Sequence, residues 1–148
     1  MELNEVLVPI DFSEASRATF LGAQDMVSGE SPAIILLHVI DPSLVAAVVS
    51  SGLGTERSVI RKLRNRADQA MAEMVASSTV EVTPVVSEGI PFYEIVRHAE
   101  EFDVDAVVIG KTGVRDAREA LFFGSTAEKV VRACRQPVIV LSTPSIAD

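Results

Sequence analysis

The chain has 148 residues, 48% of them hydrophobic and 23% charged, which suits one globular domain with a real core and excludes a disordered or collagen-like polypeptide. Thirteen basic against twenty-one acidic residues leave a net charge of −8, which opposes non-specific binding to nucleic acid or to anionic membranes. No apolar run nears the roughly 20 residues of a membrane helix, and the amino terminus, MELNEVLVPID, lacks the basic region of a secretory signal, so a cytoplasmic location is expected. The single cysteine, Cys134, cannot close an internal disulfide, and with two histidines it supplies too few spaced ligands for structural zinc.

In chain order, Glu5 to Ile10 reads as a short buried strand. Asp11 ends it, and Ser13 caps a helix that should run to about Val27. After Gly29 and Pro32 comes a second near-continuous apolar strand, Ala33 to Val39. The stretch from Asp41 to Thr55, with its proline, serines and glycines, reads as a long mobile connection of the kind that serves a site. From Glu56 onward, Ile60, Leu63, Ala67, Ala70, Met71 and Met74 recur at helical spacing, and the two methionines belong to the core rather than to a ligand box. The cluster Arg57, Arg61, Lys62, Arg64 and Arg66 on that helix is interrupted by acidic residues and has no interleaved aromatics, so it reads as a solvated face rather than a docking patch.

Val80 to Val86 follows as a strand in which Pro84 requires a strand end or a place needing no ladder N–H. Gly89 and Pro91 open a helix with the apolar face Phe92, Ile95, Val96, Ala99 and Phe102, and Val104 to Ile109 is the fourth strand. A last helix spans Ser125 to Arg135, and Gln136 to Leu141 makes the fifth strand. Apolar strands alternating with amphipathic helices indicate a parallel sheet covered on both faces.

The chemistry should lie at Gly110-Lys111-Thr112-Gly113, followed after ten residues by Gly124-Ser125-Thr126. Glycines let the backbone approach a ligand, and a helix start aims N–H groups at an anion. The segment fails the pattern GxxxxGK[ST], because Asp105 stands where the first glycine must be. The dinucleotide fingerprint GxGxxG is missing after the first strand as well. Plainer readings exist for each residue: Ser125 to Glu128 also spells an SxxE capping box, Asp11 can close the turn after the first strand, and His38 in an apolar strand reads as a satisfied core histidine. A triad of Ser125, His38 and Asp11 has no nucleophile elbow to support it.

The segments Val6 to Ser16 (VLVPIDFSEAS) and Leu36 to Val39 (LLHV), with GKTG and then GST, resemble the universal stress protein family from about Val6 to Leu141. The resemblance implies a doubly wound α/β fold with five parallel strands in the order 3-2-1-4-5, and one domain spanning residues 1–148. It implies ATP as the ligand, with Mg2+ or Mn2+ on the phosphate oxygens. Asp11 and the backbone around Val39 would hold adenine; Gly110 and Gly113 would line the ribose and phosphates; Gly124, Ser125 and Thr126 would bind the phosphates; Pro9, Ile10 and Ile109 complete the cofactor-binding set. ATP-binding members carry GxxG, nine residues, then G[ST], whereas this chain has ten between Gly113 and Gly124. The last strand, Pro137 to Leu141, has few of the charges that protect a sheet edge, and the resemblance pairs it with its copy in a homodimer. The implied function is an ATP-binding regulatory dimer of the stress response with an unknown protein partner. The competing readings are a dimeric interaction module of the same fold without nucleotide and, behind it, a slow ATP hydrolase.

Overall fold

The computed structural model describes residues 1–111 and 124–142. Five strands, β1 (Glu5–Pro9), β2 (Ala33–Ile40), β3 (Glu81–Glu88), β4 (Ala106–Gly110) and β5 (Val138–Leu141), form one parallel sheet in the order β3-β2-β1-β4-β5. Among the described residues, five helices accompany them: α1 (Glu14–Met26), α2 (Pro42–Ser50), α3 (Glu56–Ser77), α4 (Pro91–Glu101) and α5 (Ser125–Ala133). The parallel sheet is the one expected from the alternation of strands and helices, and its strand order is the one the family resemblance implies.

The inner strands β1, β2 and β4 are almost wholly apolar because each is covered on both faces. One face of β1, β2 and β4 offers Val6, Val8, Ile34, Leu36, Ala106 and Val108 to Phe20 and Ala23 of α1 and to Met71 and Met74 of α3. The opposite face offers Leu7, Ile35, Leu37, Val107 and Ile109 to Ile95 and Ala99 of α4 and to Ala127 and Val130 of α5. Asp105 fastens the start of β4 beside β1: its Oδ2 accepts from the N–H groups of Asn4 and Glu5, both at 2.9 Å, while its own N–H donates to the Glu5 carbonyl at 2.8 Å.

Several expectations need correction. The stretch Asp41 to Thr55 is mostly helix: Asp41 is the N-cap of α2, accepting from the Ser43 N–H, and Pro42 occupies the first turn, where its missing N–H costs nothing. Serine and proline are helix-start residues here rather than loop markers. Only Ser51 to Thr55 connects α2 to α3, with Gly52 and Gly54 at positive φ. β3 is longer than Val80 to Val86; it is an edge strand, where half the N–H groups face no neighbour and Pro84 is tolerated. β4 begins at Ala106 rather than Val104, α5 ends at Ala133 rather than Arg135, and β5 begins at Val138 rather than Gln136. The buried face of α4 includes Glu94 and His98, which periodicity of apolar residues could not reveal, whereas Phe102 caps the helix at 38% exposure. His98 is accommodated by a 2.7 Å contact from Nδ1 to the Glu94 carbonyl, and Glu94 pairs with Arg97 at 2.6 Å. The basic face of α3 is solvated apart from Arg64, which reaches Glu88 of β3 at 2.9 Å.

Gly89 joins β3 to α4 at φ +153°, where a Cβ would come within 2.9 Å of the buried Glu94 side chain. Gly89→Ala should therefore lower unfolding stability by about 2 kcal/mol, measured by urea denaturation; an unchanged midpoint would show that this turn tolerates a side chain.

Candidate functional site

The sheet order reverses between β1 and β4, because the chain builds outward from β1 through β2 to β3 and then crosses back to β4. At such a switch point the connections leaving the two central strands diverge, and a crevice opens at the carboxyl ends. A cleft of about 350 Å³ lies there, between the ends of β1, β2 and β4 and the start of α5. Its lining includes Pro9, Ile10, Asp11, Val39, Ile109, Gly110, Gly124 and Thr126, eight of the ten residues singled out in the sequence. Ser125 is exposed next to it, and Gly113 lies outside the described residues, as do the ten residues between it and Gly124.

The phosphate end is built by α5. Gly124 is the N-cap, with no side-chain hydrogen bond to the helix, so the SxxE capping box does not form. The reason is one of register: Ser125 is already the first helical residue, and Glu128 turns away to pair with Arg132 at 2.9 Å. Among the described residues, the N–H groups of Ser125, Thr126 and Ala127 thus meet no acceptor at the positive end of the helix dipole. The Gly124 N–H donates to the Lys111 carbonyl at 2.8 Å, and the Lys111 N–H donates to the Leu141 carbonyl at 2.8 Å. These bonds hold the two ends of the glycine segment together, and Lys111 itself lines the cleft.

The opposite end is shaped by the turn after β1. Asp11 Oδ1 accepts from the Ser13 N–H at 3.0 Å and from the Ser13 hydroxyl, and Ser13 in turn accepts from the Ser16 N–H to cap α1. The turn-closing reading of Asp11 is therefore correct, and it leaves the other carboxylate oxygen, Oδ2, without a hydrogen bond among the described residues. Phe12 sits at φ +64°, a conformation that costs a bulky residue energy and persists only where the surroundings enforce it. Its ring lies 4.6 Å from that of His38, and its carbonyl accepts from Arg17 Nε at 3.3 Å.

His38 is satisfied, as expected, through a 2.7 Å contact between Nδ1 and the Ile10 carbonyl. A carbonyl can only accept, so Nδ1 carries the proton. The ring is half-buried and lines the cleft rather than the core. No hydrogen bond joins it to Ser125 or Asp11, and a triad is not assembled among the described residues. Asp41 and Leu44 of α2 also line the cleft and were missed by sequence reasoning, because their segment was read as loop. The signal that could have found them was the Asp-Pro-Ser helix start.

A family model described as the universal stress protein family matches residues 2–142. The chain belongs to the universal stress protein family. Among curated relatives, universal stress protein MJ0577 of Methanocaldococcus jannaschii is 28% identical, with 93% of each chain covered. The solved structure of MJ0577 superposes with a TM-score of 0.84 at 27% identity, covering 98% of this chain and 99% of that one. More distant members of the family share the fold: a universal stress protein solved in complex with cAMP (TM-score 0.64, 19% identity, 97% and 100% covered) and one from Archaeoglobus fulgidus in complex with dAMP (TM-score 0.59, 22% identity, 95% and 98% covered).

The bare start of α5 generates a stability prediction. Gly124 has φ −59° and ψ 145°, open to any residue, and aspartate is a somewhat better N-cap that also suits the helix dipole. Gly124→Asp should stabilise the ligand-free protein by about 0.5 kcal/mol, read from thermal melts; destabilisation would mean that the helix start is already satisfied by other groups.

Proposed function

We propose that this chain is an ATP-binding regulatory protein of the universal stress type, acting as a homodimer in the cytoplasm. The observation that carries the reading is the uncapped N-terminus of α5, facing the cleft at the switch point beside Gly110 and Lys111. A helix that forgoes a side-chain cap where its sequence could supply one is suited to an external anion. Gly124, Ser125 and Thr126, with Gly110 and Gly113, take the phosphates and ribose in this reading, and Pro9, Ile10, Asp11, Val39 and Ile109 take the adenine side. The cAMP and dAMP held by two members of the family support an adenine nucleotide as the ligand class.

Among the described residues no group of three or more His, Cys, Asp or Glu side chains could hold a metal ion, so Mg2+ or Mn2+ would enter as the companion of the triphosphate. The reading is one of binding, and assigns no catalytic residue. No described helix is long and apolar enough to cross a membrane. For the dimer, β5 is an edge strand whose four residues, Val138 to Leu141, carry no charge to discourage pairing with a second copy.

Denaturing the purified protein should release adenine nucleotide, and calorimetry on protein stripped of nucleotide should show ATP binding; no nucleotide and no heat would leave the dimeric interaction module as the better account. Gly124→Asp should weaken ATP at least tenfold, because a carboxylate on the helix start competes with the phosphates, while adenosine affinity stays within twofold. Equal losses for both ligands would remove the phosphates from α5. Light scattering at micromolar concentration should give twice the 15.8 kDa chain mass, and a monomer would sink the homodimer.

A further inference from the structure

The cleft is electrically uneven: the start of α5 favours negative charge where it borders the cleft, while two carboxylates, Asp11 and Asp41, line it where β1 and β2 end. A triphosphate is directed to the first and repelled from the second, which sends the base toward Asp11 and Asp41. These two residues follow the adjacent strands β1 and β2 and are built alike. Asp41 Oδ1 accepts from the Ser43 N–H at 2.9 Å and from the Ser43 hydroxyl at 2.8 Å, as Asp11 Oδ1 accepts from Ser13. In each, one oxygen is fixed by a turn and Oδ2 takes no hydrogen bond among the described residues.

Leu44, one turn further along α2, is 51% exposed, on a helix whose Val45, Val48 and Val49 pack into a small core with Ile40 and Val59. It lines the cleft together with the apolar side chains of Ile40, Leu63, Pro91 and Ile95. An exposed leucine completing an apolar wall is what a flat aromatic ligand would cover.

We infer that α2 sets the base specificity of the cleft: Leu44 covers a face of the base, and Asp41, together with Asp11, reads an exocyclic amino group, so that adenine is preferred to a 6-oxo purine. This inference rests on the reading of the cleft as a nucleotide site. An ionised carboxylate only accepts hydrogen bonds. It matches the amino group at position 6 of adenine and repels the oxygen at the same position of hypoxanthine. Discrimination of this kind is large because the mismatched ligand leaves polar groups facing one another unpaired.

The test uses the full chain, stripped of nucleotide, and calorimetry with ATP, inosine triphosphate and 2′-deoxyATP. Asp41→Asn is the informative variant, because asparagine caps a helix as well as aspartate and so preserves α2, yet its amide can donate to a 6-oxo group. The preference for ATP over inosine triphosphate should fall about tenfold, with the preference for ATP over 2′-deoxyATP unchanged and the urea midpoint of the protein held. Leu44→Ser should weaken both purine ribonucleotides about threefold without altering their ratio. If the wild-type protein binds ATP and Asp41→Asn leaves the ATP-to-inosine ratio untouched, Asp41 does not read the base and the inference is overturned. A change confined to the 2′-deoxyATP comparison overturns it too, by placing the carboxylate on the ribose. Failure of the wild-type protein to bind any of the three overturns the nucleotide reading beneath it.

Discussion

The structure depends on the enclosure of β1. Val6, Leu7 and Val8 are wholly buried, with β2 on one side, β4 on the other and helical layers above and below. A strand with no free face and no free edge can only be built from apolar residues of alternating direction, and burial of each is worth about 1.5–3 kcal/mol. It also has only one way out at its carboxyl end. The chain must turn sharply there, and the turn at Asp11 to Ser13, with Phe12 at positive φ, is the result. The cleft thus follows from the same packing that makes the core: β1 is central, its neighbours leave in opposite directions, and their ends cannot close over the gap.

Within that frame the two ends of the cleft are products of different local rules. At the α5 end the backbone supplies the chemistry, and the side chains step aside: Gly124 offers nothing to the helix, and Glu128 is drawn to Arg132. At the opposite end side chains supply it, through carboxylates that each serve a turn with one oxygen. Hydrogen bonds from the main chain of Lys111 to Gly124 and Leu141 connect the first of these arrangements to β5, the edge where the proposed second copy would sit. An anion at α5 and a partner strand at β5 would therefore act on one short hydrogen-bonded path.

The parallel sheet was legible in the alternation of apolar strands with amphipathic helices, whereas its strand order, and the eight selected residues that line the cleft, followed from the family resemblance rather than from periodicity. What was not legible has identifiable causes. In Asp41 to Thr55, proline and serine begin a helix as readily as they end one, so composition hides α2 and with it Asp41 and Leu44. The SxxE pattern at Ser125 was read one residue out of register, since a sequence cannot say whether a glycine or the serine after it is the cap. Buried Glu94 and His98 were invisible to a search for apolar periodicity, because their hydrogen bonds, rather than their hydropathy, make burial tolerable.

The anchoring of α2 is slight for a helix of nine residues: only Val45 is buried, and beneath it lies a second hollow of about 380 Å³ lined by Ile40, Val49 and Ile60 among others. A segment held by so few contacts opens at a lower free energy than the sheet it rests on. Its amides would then exchange with solvent well ahead of those of β1 and β2, and a ligand touching Leu44 would slow that exchange without any shift of the fold. Such a change in fluctuation alone, carried by α2 on the outer surface, is a signal that another molecule could read.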